Sequence, residues 1–460
     1  MKRCHLGVKR TRIWLATAAT GIVLMACSQQ KHFLGYDLVT QVPNSSATTS
    51  AEPPTDAGTP MEAGLGSTSA QSGTSLVSQA TDDAGDTGES DGGLVDVTLN
   101  DPPNVLVDVL ELEPDRVVQR TTSIFEKLFF GDPSSESIFV DEPDGAYVFD
   151  VYHDDTRMDA MGYGMLALVY FDHQAEFDKL WSTVDTKFRY PDGARSRYFH
   201  HSCATDFSEC SDDIDTFGVL YVVTALFIAE SRWGGSTYAA AATDILVTMR
   251  SKEQNGIQEG VLNLFDADGF PRRVPLEGES SDIWAGSLMP AFLELWYVNT
   301  KDIFWHQAAE QSRALLQVVV HPETGLAPER VDRMGSPTQE MPEFREGTYA
   351  VGFQMALDQA WVGPQPGYTT SVDLLVGFFG AKGPGYASLW TIEGEALNDL
   401  SSFALIALNG AAASIATVGA REGMIRAAWE LGSTSGQYRY YDGMSQLLSL
   451  MLLGGQFKPE

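Results

Sequence analysis

From Asp115 to the end, the chain repeats one pattern: apolar residues at three- and four-residue spacing, cut by short loops rich in Gly, Pro and Asp. Segments such as FGVLYVVTALFIAES and LSSFALIALNGAAASIAT are apolar nearly all round, whereas DIFWHQAAEQSRALLQVVV carries a single apolar stripe. Helices of the first kind must be covered on every side, those of the second on one side only. The pattern gives roughly twelve helices of alternating kind. An inner ring wrapped by an outer ring satisfies both demands, and six helical hairpins arranged this way make an all-α (α/α)6 barrel. A helical solenoid would need a fixed repeat period, and no recurrent motif is present. The one expected strand hairpin lies in VLNLFDADGFPRRVPL, turning at Asp268 and Gly269. DADGF lacks the later oxygen ligands and the terminal Glu of a calcium loop, so it reads as a turn and no metal site is expected.

The N-terminal part does not belong to that body. A basic MKRCHLGVKRTR precedes the apolar IWLATAATGIVLMA, which is too short for a membrane span and ends in LMAC. This resembles a bacterial lipoprotein signal over residues 1–26, with Cys27 as the lipid anchor; an ordinary signal peptide with an incidental cysteine is the other reading. Ser28 after the cysteine implies the outer membrane or cell surface. Residues 27–105 then read as a tether, because the stretch from Thr40 to Gly93 is made of Ser, Thr, Ala, Gly, Pro and Asp and has little to bury. About 60 such residues span about 40 Å root-mean-square. The globular domain is expected over 106–460.

Charge narrows the partners. The 460-residue chain carries a formal net charge of -32, which repels a phosphate backbone and argues against nucleic acid. The membrane is expected to be met through the lipid alone, and the barrel to act as a monomer. Of the four cysteines, Cys203 and Cys210 in SCATDFSEC remain for the exported body. A loop-closing disulfide suits an oxidising compartment, whereas a zinc site would need a second pair of ligands at the right spacing.

FEKLFFGDPSSESIF, DGAYVFDVYHDDTRMDAMGYGM, SRWGG, PAFLELW, HPETGLAPE, TYAVGFQMALDQAWVG and YRYYDGMSQLLSLMLLGGQFK occur in the order and spacing of glycoside hydrolase family 8. The chain resembles in particular the branch that releases xylose from the reducing end of xylo-oligosaccharides. The resemblance covers nearly everything after the tether. It implies an (α/α)6 barrel, an oligosaccharide partner, no cofactor, and inverting hydrolysis of β-1,4 linkages. Inversion uses an acid on the leaving oxygen and a separate carboxylate that activates water on the opposite face, the two about 6.5–9.5 Å apart.

The catalytic positions depart from the family pattern. Where the family has a Glu general acid two residues after an Arg, Arg157 and Met158 are followed by Asp159, which retracts the carboxyl by about 1 Å; misplacement on that scale costs on the order of 100-fold. The other reading of Asp159 is a first-turn acid on the helix dipole. The base Asp of the family falls at Gly347, two residues before Tyr349, and Ala350 replaces the Arg that follows. Glu346 is the adjacent candidate, or a plain helix-start acid. The third Asp of the family falls at Phe217, with Asp215 two residues early in SDDIDTFG, where it is either a shifted site residue or a helix cap. His201 stands where the family has a sugar-stacking Trp, and it and its neighbour His200 otherwise read as rim histidines. Tyr163, Tyr349 and Tyr441 are candidates for sugar contact, although aromatic residues in such numbers also build cores. Two functions follow: a surface glycosidase using Asp159 with Glu346 or Asp215, or a non-catalytic barrel that binds a glycan or scaffolds.

Overall fold

Two concentric rings of helices account for the two kinds of periodicity. The computed structural model describes residues 95–460 apart from 144 and 384. The expected signal, Cys27 and most of the expected tether lie outside the described residues. Residues 95–104 carry no regular secondary structure, yet they are bonded to the barrel. The Tyr297 hydroxyl donates to the carbonyl of Val95 at 2.7 Å, and the Asn100 amide donates to that of Trp361 at 2.7 Å.

Thirteen α-helices follow among the described residues: α1 Val105–Leu110, α2 Pro114–Phe130, α3 Met158–Tyr170, α4 Gln174–Thr183, α5 Gly218–Trp233, α6 Thr237–Met249, α7 Pro290–Thr300, α8 Ile303–Leu316, α9 Ala350–Trp361, α10 Tyr368–Gly380, α11 Phe403–Ala412, α12 Arg421–Glu430 and α13 Arg439–Leu453. Contacts run α3 to α5, α7, α9, α11 and α13 in sequence, and α13 returns to α3, which closes an inner ring of six. Each inner helix also packs on an outer one: α3 on α4, α5 on α6, α7 on α8, α9 on α10, α11 on α12 and α13 on α2. The chain is therefore an (α/α)6 barrel, closed by a pairing of its first long helix with its last.

The inner helices are the ones whose sequence is apolar all round. Every residue of α3 from Met158 to Val169 is buried, while α4 buries only Phe177, Leu180 and Thr183. Full burial of a Leu, Met or Phe side chain contributes about 1.5–3 kcal/mol, so the ring interior dominates stability. Between α3 and α5 the backbones come close enough to exclude side chains. A Cβ on Gly218 would lie 2.2 Å from the amide nitrogen of Asp159, and one on Gly162 would lie 2.7 Å from Tyr221 Cβ. The glycines of this pair thus set the interhelical spacing next to Asp159.

Two small sheets sit at the mouth where inner helices begin. In the first, β1 Phe139–Glu142, β2 Gly145–Asp150, β3 Asp155–Arg157 and β4 Ser202–Cys203 pair antiparallel in that order. β3 runs straight into α3, and the Met158 amide donates to the His201 carbonyl at 3.0 Å, so this sheet fixes where α3 starts. Cys203 and Cys210 are joined as a disulfide beside β4. In the second sheet, β5 Ile283–Trp284 pairs with β6 Arg330–Val331. The expected hairpin at 261–276 forms only isolated bridges, Val261 with Leu276 and Phe265 with Pro271. Its turn is as read: Gly269 has φ 89° and the Phe270 amide donates to Asp266 Oδ1 at 3.0 Å. Too few alternating residues flank that turn to extend a ladder.

Candidate active site

Asp159 is the second residue of α3, 7% exposed, on the first turn of an inner helix. It does not cap its own helix. The Tyr440 hydroxyl, from the first turn of α13, donates to its Oδ2 at 2.8 Å, and its Oδ1 is buried without a partner. An orphan buried oxygen calls for an explanation, and a site for a ligand proton or hydroxyl is one. Burial pushes the Asp159 carboxyl above the ordinary carboxylate range, against the pull of His201, Arg157 and the Tyr440 bond, and the charge of Asp150 adds to the rise. A carboxyl that holds its proton toward neutrality is equipped to donate it.

Asp215 performs a structural task. Its two carboxylate oxygens accept the amides of Gly218 at 3.3 Å and Val219 at 2.8 Å, which caps the start of α5. Oδ1 also lies 3.7 Å from Nδ1 of His201. Burial lowers the affinity of that imidazole for a proton, but the hydrogen bond and charge of Asp215, with the charge of Asp159, outweigh it and leave the His201 pKa raised. His201, of intermediate exposure, thus lies close to Asp215 and feels the charge of Asp159 as well. His200 is oriented by the Ser211 carbonyl at 2.6 Å from its Nδ1.

The start of α9 brings a second set of acids. Glu346 opens the 3-10 turn Glu346–Thr348 and is 9% exposed. Its Oε1 lies 3.3 Å from Arg345, and its backbone carbonyl accepts the Tyr441 hydroxyl at 3.0 Å. Glu329, directly before β6, is 7% exposed, and its Oε2 lies 3.2 Å from Nε of Arg345. Burial, helped by the charge of Glu346, pushes the Glu329 carboxyl up to about 7 although Arg345, Arg330 and Arg273 pull it down. One guanidinium thus serves two buried carboxyls.

Tyr441 is bonded to the Glu346 carbonyl and feels the charge of Asp159 as well. Burial holds its hydroxyl well above the ordinary tyrosine value, and the charges of Glu346, Asp442 and Asp159 contribute to the rise. Tyr163 packs against Tyr221 with ring centroids 4.4 Å apart, Phe217 against Trp284 at 4.6 Å, and Trp284 Nε1 donates to the Gly347 carbonyl at 2.9 Å. These contacts link the starts of α3, α5, α7, α9 and α13 in one mouth. Six inner-helix N-termini raise the local potential and ease the burial of acids there. Tyr349 is different: it is buried, and its hydroxyl is taken by the Ser388 carbonyl at 2.6 Å.

The mouth therefore gathers Asp159, His201, Asp215, Tyr163, Tyr441 and Glu346. Glu329, Arg345 and Tyr440 belong with them and were not singled out from the sequence. Glu329 lies in HPETGLAPE, but only the fold brings that segment against Gly347.

The comparisons with known proteins identify the family. Residues 151–455 match the model for glycosyl hydrolases family 8. The chain is 29% identical over 358 residues to the reducing-end xylose-releasing exo-oligoxylanase Rex8A of Paenibacillus barcinonensis, covering 75% of this chain and 93% of that protein. It is 30% identical over 356 residues to the reducing end xylose-releasing exo-oligoxylanase of Halalkalibacterium halodurans, covering 74% and 90%. Among solved structures, a family 8 xylobiose complex from Teredinibacter turnerae superposes with a TM-score of 0.73 at 28% identity, covering 78% of this chain and 97% of that one. Fold, ordered motifs and family match converge: this chain belongs to the glycosyl hydrolases of family 8.

Proposed function

We propose that this chain is an inverting glycosidase acting on β-1,4-linked xylo-oligosaccharides, held at the outer cell surface through Cys27. Asp159 is its general acid. The observation that carries the reading is the buried Asp159 carboxyl with Oδ1 unpartnered and Oδ2 held by Tyr440, next to a Tyr441 hydroxyl on which the charges of both Asp159 and Glu346 act. Glycosidase chemistry needs that pairing of a protonated donor with a separate acid that activates water. The xylo-oligosaccharide class is supported by relatives named as exo-oligoxylanases and by a xylobiose complex of a family member. His201, Tyr163 and Tyr441 line the mouth and are assigned to sugar contact. Of the two acids the sequence suggests as base, Asp215 is occupied as a helix cap, whereas Glu346 faces Arg345 at the start of α9. Retention of α5 capping by Asp215 also fits its position next to the acid, where it sets the protonation of His201.

The test is reducing-end analysis of xylo-, cello- and chitosan oligosaccharides incubated with the full chain, beside an Asp159→Asn control. Cleavage abolished in the control supports the reading. A second reading, a barrel that binds glycans without cleaving them, is supported by the resemblance, which implies that the family base falls at Gly347. Binding by calorimetry without cleavage of any of these oligosaccharides would establish it.

A further inference from the structure

We propose that the groove between α2 and α12, on the outside of the barrel, is a second binding site that takes an extended acidic oligosaccharide, one with carboxylates on successive sugars. The site shares no residue with the mouth described above, and the proposal does not depend on the glycosidase reading.

The first support is a row of cations with no acid bonded to it. Arg116, Arg120 and Lys127 line the groove from α2 at spacings of four and seven residues, which puts them on one face of the helix. None of the three makes a salt bridge among the described residues, in a chain whose net charge is -32. Arg116 and Arg120 lie over the same ring, that of Trp429, with Cζ at 5.7 and 4.9 Å from its centroid. Burial and the charge of Arg116 lower the Arg120 pKa, while Glu430, the acid of the lining, acts on it in the other direction. A ligand carboxylate placed between the two guanidinium groups relieves their repulsion and accepts forked N–H bonds.

The second support is hydrogen-bonding capacity left open in the lining. Nη2 of Arg120 donates to the Leu431 carbonyl at 2.6 Å, which fixes the side chain, while its Nε is buried without a partner. Gln446 is buried, and its amide nitrogen donates to the carbonyls of Leu431 at 3.2 Å and Gly432 at 3.0 Å. Its Oε1 is buried and unpartnered in turn. An open donor and an open acceptor in one groove match the carboxylate and hydroxyls of an acidic sugar, directly or through a bridging water.

The third support is shape. Between Arg116 and Lys127 the helix rises about 16 Å. The groove holds about 550 Å³, within the usual range of ligand sites. A single phosphate reaches only part of that row, whereas a chain of several sugars spans it. Gln119 and Ser123 stand between the cations on α2 and offer neutral partners for the hydroxyls that separate one carboxylate from the next. A recess between helices receives one extended chain, not the flat face of a membrane, and the net charge repels nucleic acid.

The experiment is calorimetric titration of the full chain with tetragalacturonate, a linear oligosaccharide with one carboxylate per sugar, beside xylotetraose, inorganic phosphate and phosphatidylglycerol vesicles. Tetragalacturonate is expected to bind, to bind more weakly as salt is raised, and not to be displaced by equal concentrations of xylotetraose or phosphate. Arg116→Gln and Arg120→Gln are each expected to weaken it by about 10- to 100-fold, the loss of a charge-assisted hydrogen bond. Arg120→Lys keeps the charge without the fork and is expected to recover part of that loss. Arg116 and Lys127 are exposed, so Arg116→Gln with Lys127→Gln leaves the core intact and is expected to abolish measurable binding while any cleavage of xylotetraose continues unchanged. No binding of tetragalacturonate by the wild-type chain, or binding that survives this double variant, would overturn the proposal. So would equal displacement by phosphate, which would mean a site for a single anion. Vesicle binding that is lost in the double variant, without tetragalacturonate binding, would assign the groove to lipid headgroups instead. Failure to cleave xylotetraose bears on the mouth alone and leaves this result standing.

Discussion

The Tyr440 hydroxyl donates to Oδ2 of Asp159 at 2.8 Å across 281 positions of sequence, tying the first turn of α13 to that of α3. This bond orients the carboxyl and leaves its other oxygen free for a proton. It also lowers the Asp159 pKa, so Tyr440→Phe is expected to raise it further. An acid must be protonated to work; the basic limb of kcat/KM should therefore move to higher pH in this variant. A buried acceptor left unpaired costs about 1–3 kcal/mol, which urea unfolding will register. An unmoved basic limb would mean that another group donates the proton.

Asp159 should also weaken the fold above acidic pH. Its folded-state pKa is raised, so the native chain binds the proton more tightly than the unfolded chain does, and stability falls as pH rises through that interval. Asp159→Asn removes the penalty. Its melting temperature is expected to match wild type near pH 4 and to exceed it at neutral pH, a gain of stability with loss of activity. Parallel thermal melts across that range decide it.

Asp215 can be resolved into its two duties. Asp215→Asn keeps one oxygen, enough for the closer Val219 amide, and should cost less stability than Asp215→Ala, which is expected to lose about 1 kcal/mol of capping. Both variants remove the charge that raises His201, so its pKa should drop in each. A raised His pKa contributes stability below its ordinary titration range that fades as pH rises through the folded value; that acidic contribution should disappear in both. NMR titration of His201 and melts near pH 6 would read the two effects separately.

Gly218 is the residue whose replacement should hurt most for its size. A methyl there would meet the backbone of Met158 and Asp159 at 2.2 Å, so the two inner helices must part. Gly218→Ala is expected to cost about 1–3 kcal/mol by overpacking and to lower kcat further by moving Asp159. Unfolding free energy and kcat measured on the surviving folded fraction would show both losses; a variant as active as wild type would show that α3 and α5 have slack.

The barrel was legible because burial leaves a periodic trace. α3, α5 and α11 read as apolar all round and stand in the inner ring, while α8 reads as striped and stands outside. The capping reading of Asp215 was also local, since the acid precedes its amides by three and four residues. Glu329 left no such trace. Its meaning depends on the volume it shares with Gly347, and a two-residue ladder between β5 and β6 makes that approach. The Tyr440 bond was hidden for the same reason: ring closure, not spacing, brings α13 to α3.

The most direct test of the account is the anomeric form of the first product. Full-length chain is mixed with xylotetraose and followed by proton NMR before mutarotation, beside Asp159→Asn. The account predicts that the new reducing end appears first as the α-anomer, and that folded Asp159→Asn loses this signal by at least about 100-fold. First appearance of the β-anomer, or absence of cleavage in the wild-type chain, would contradict it.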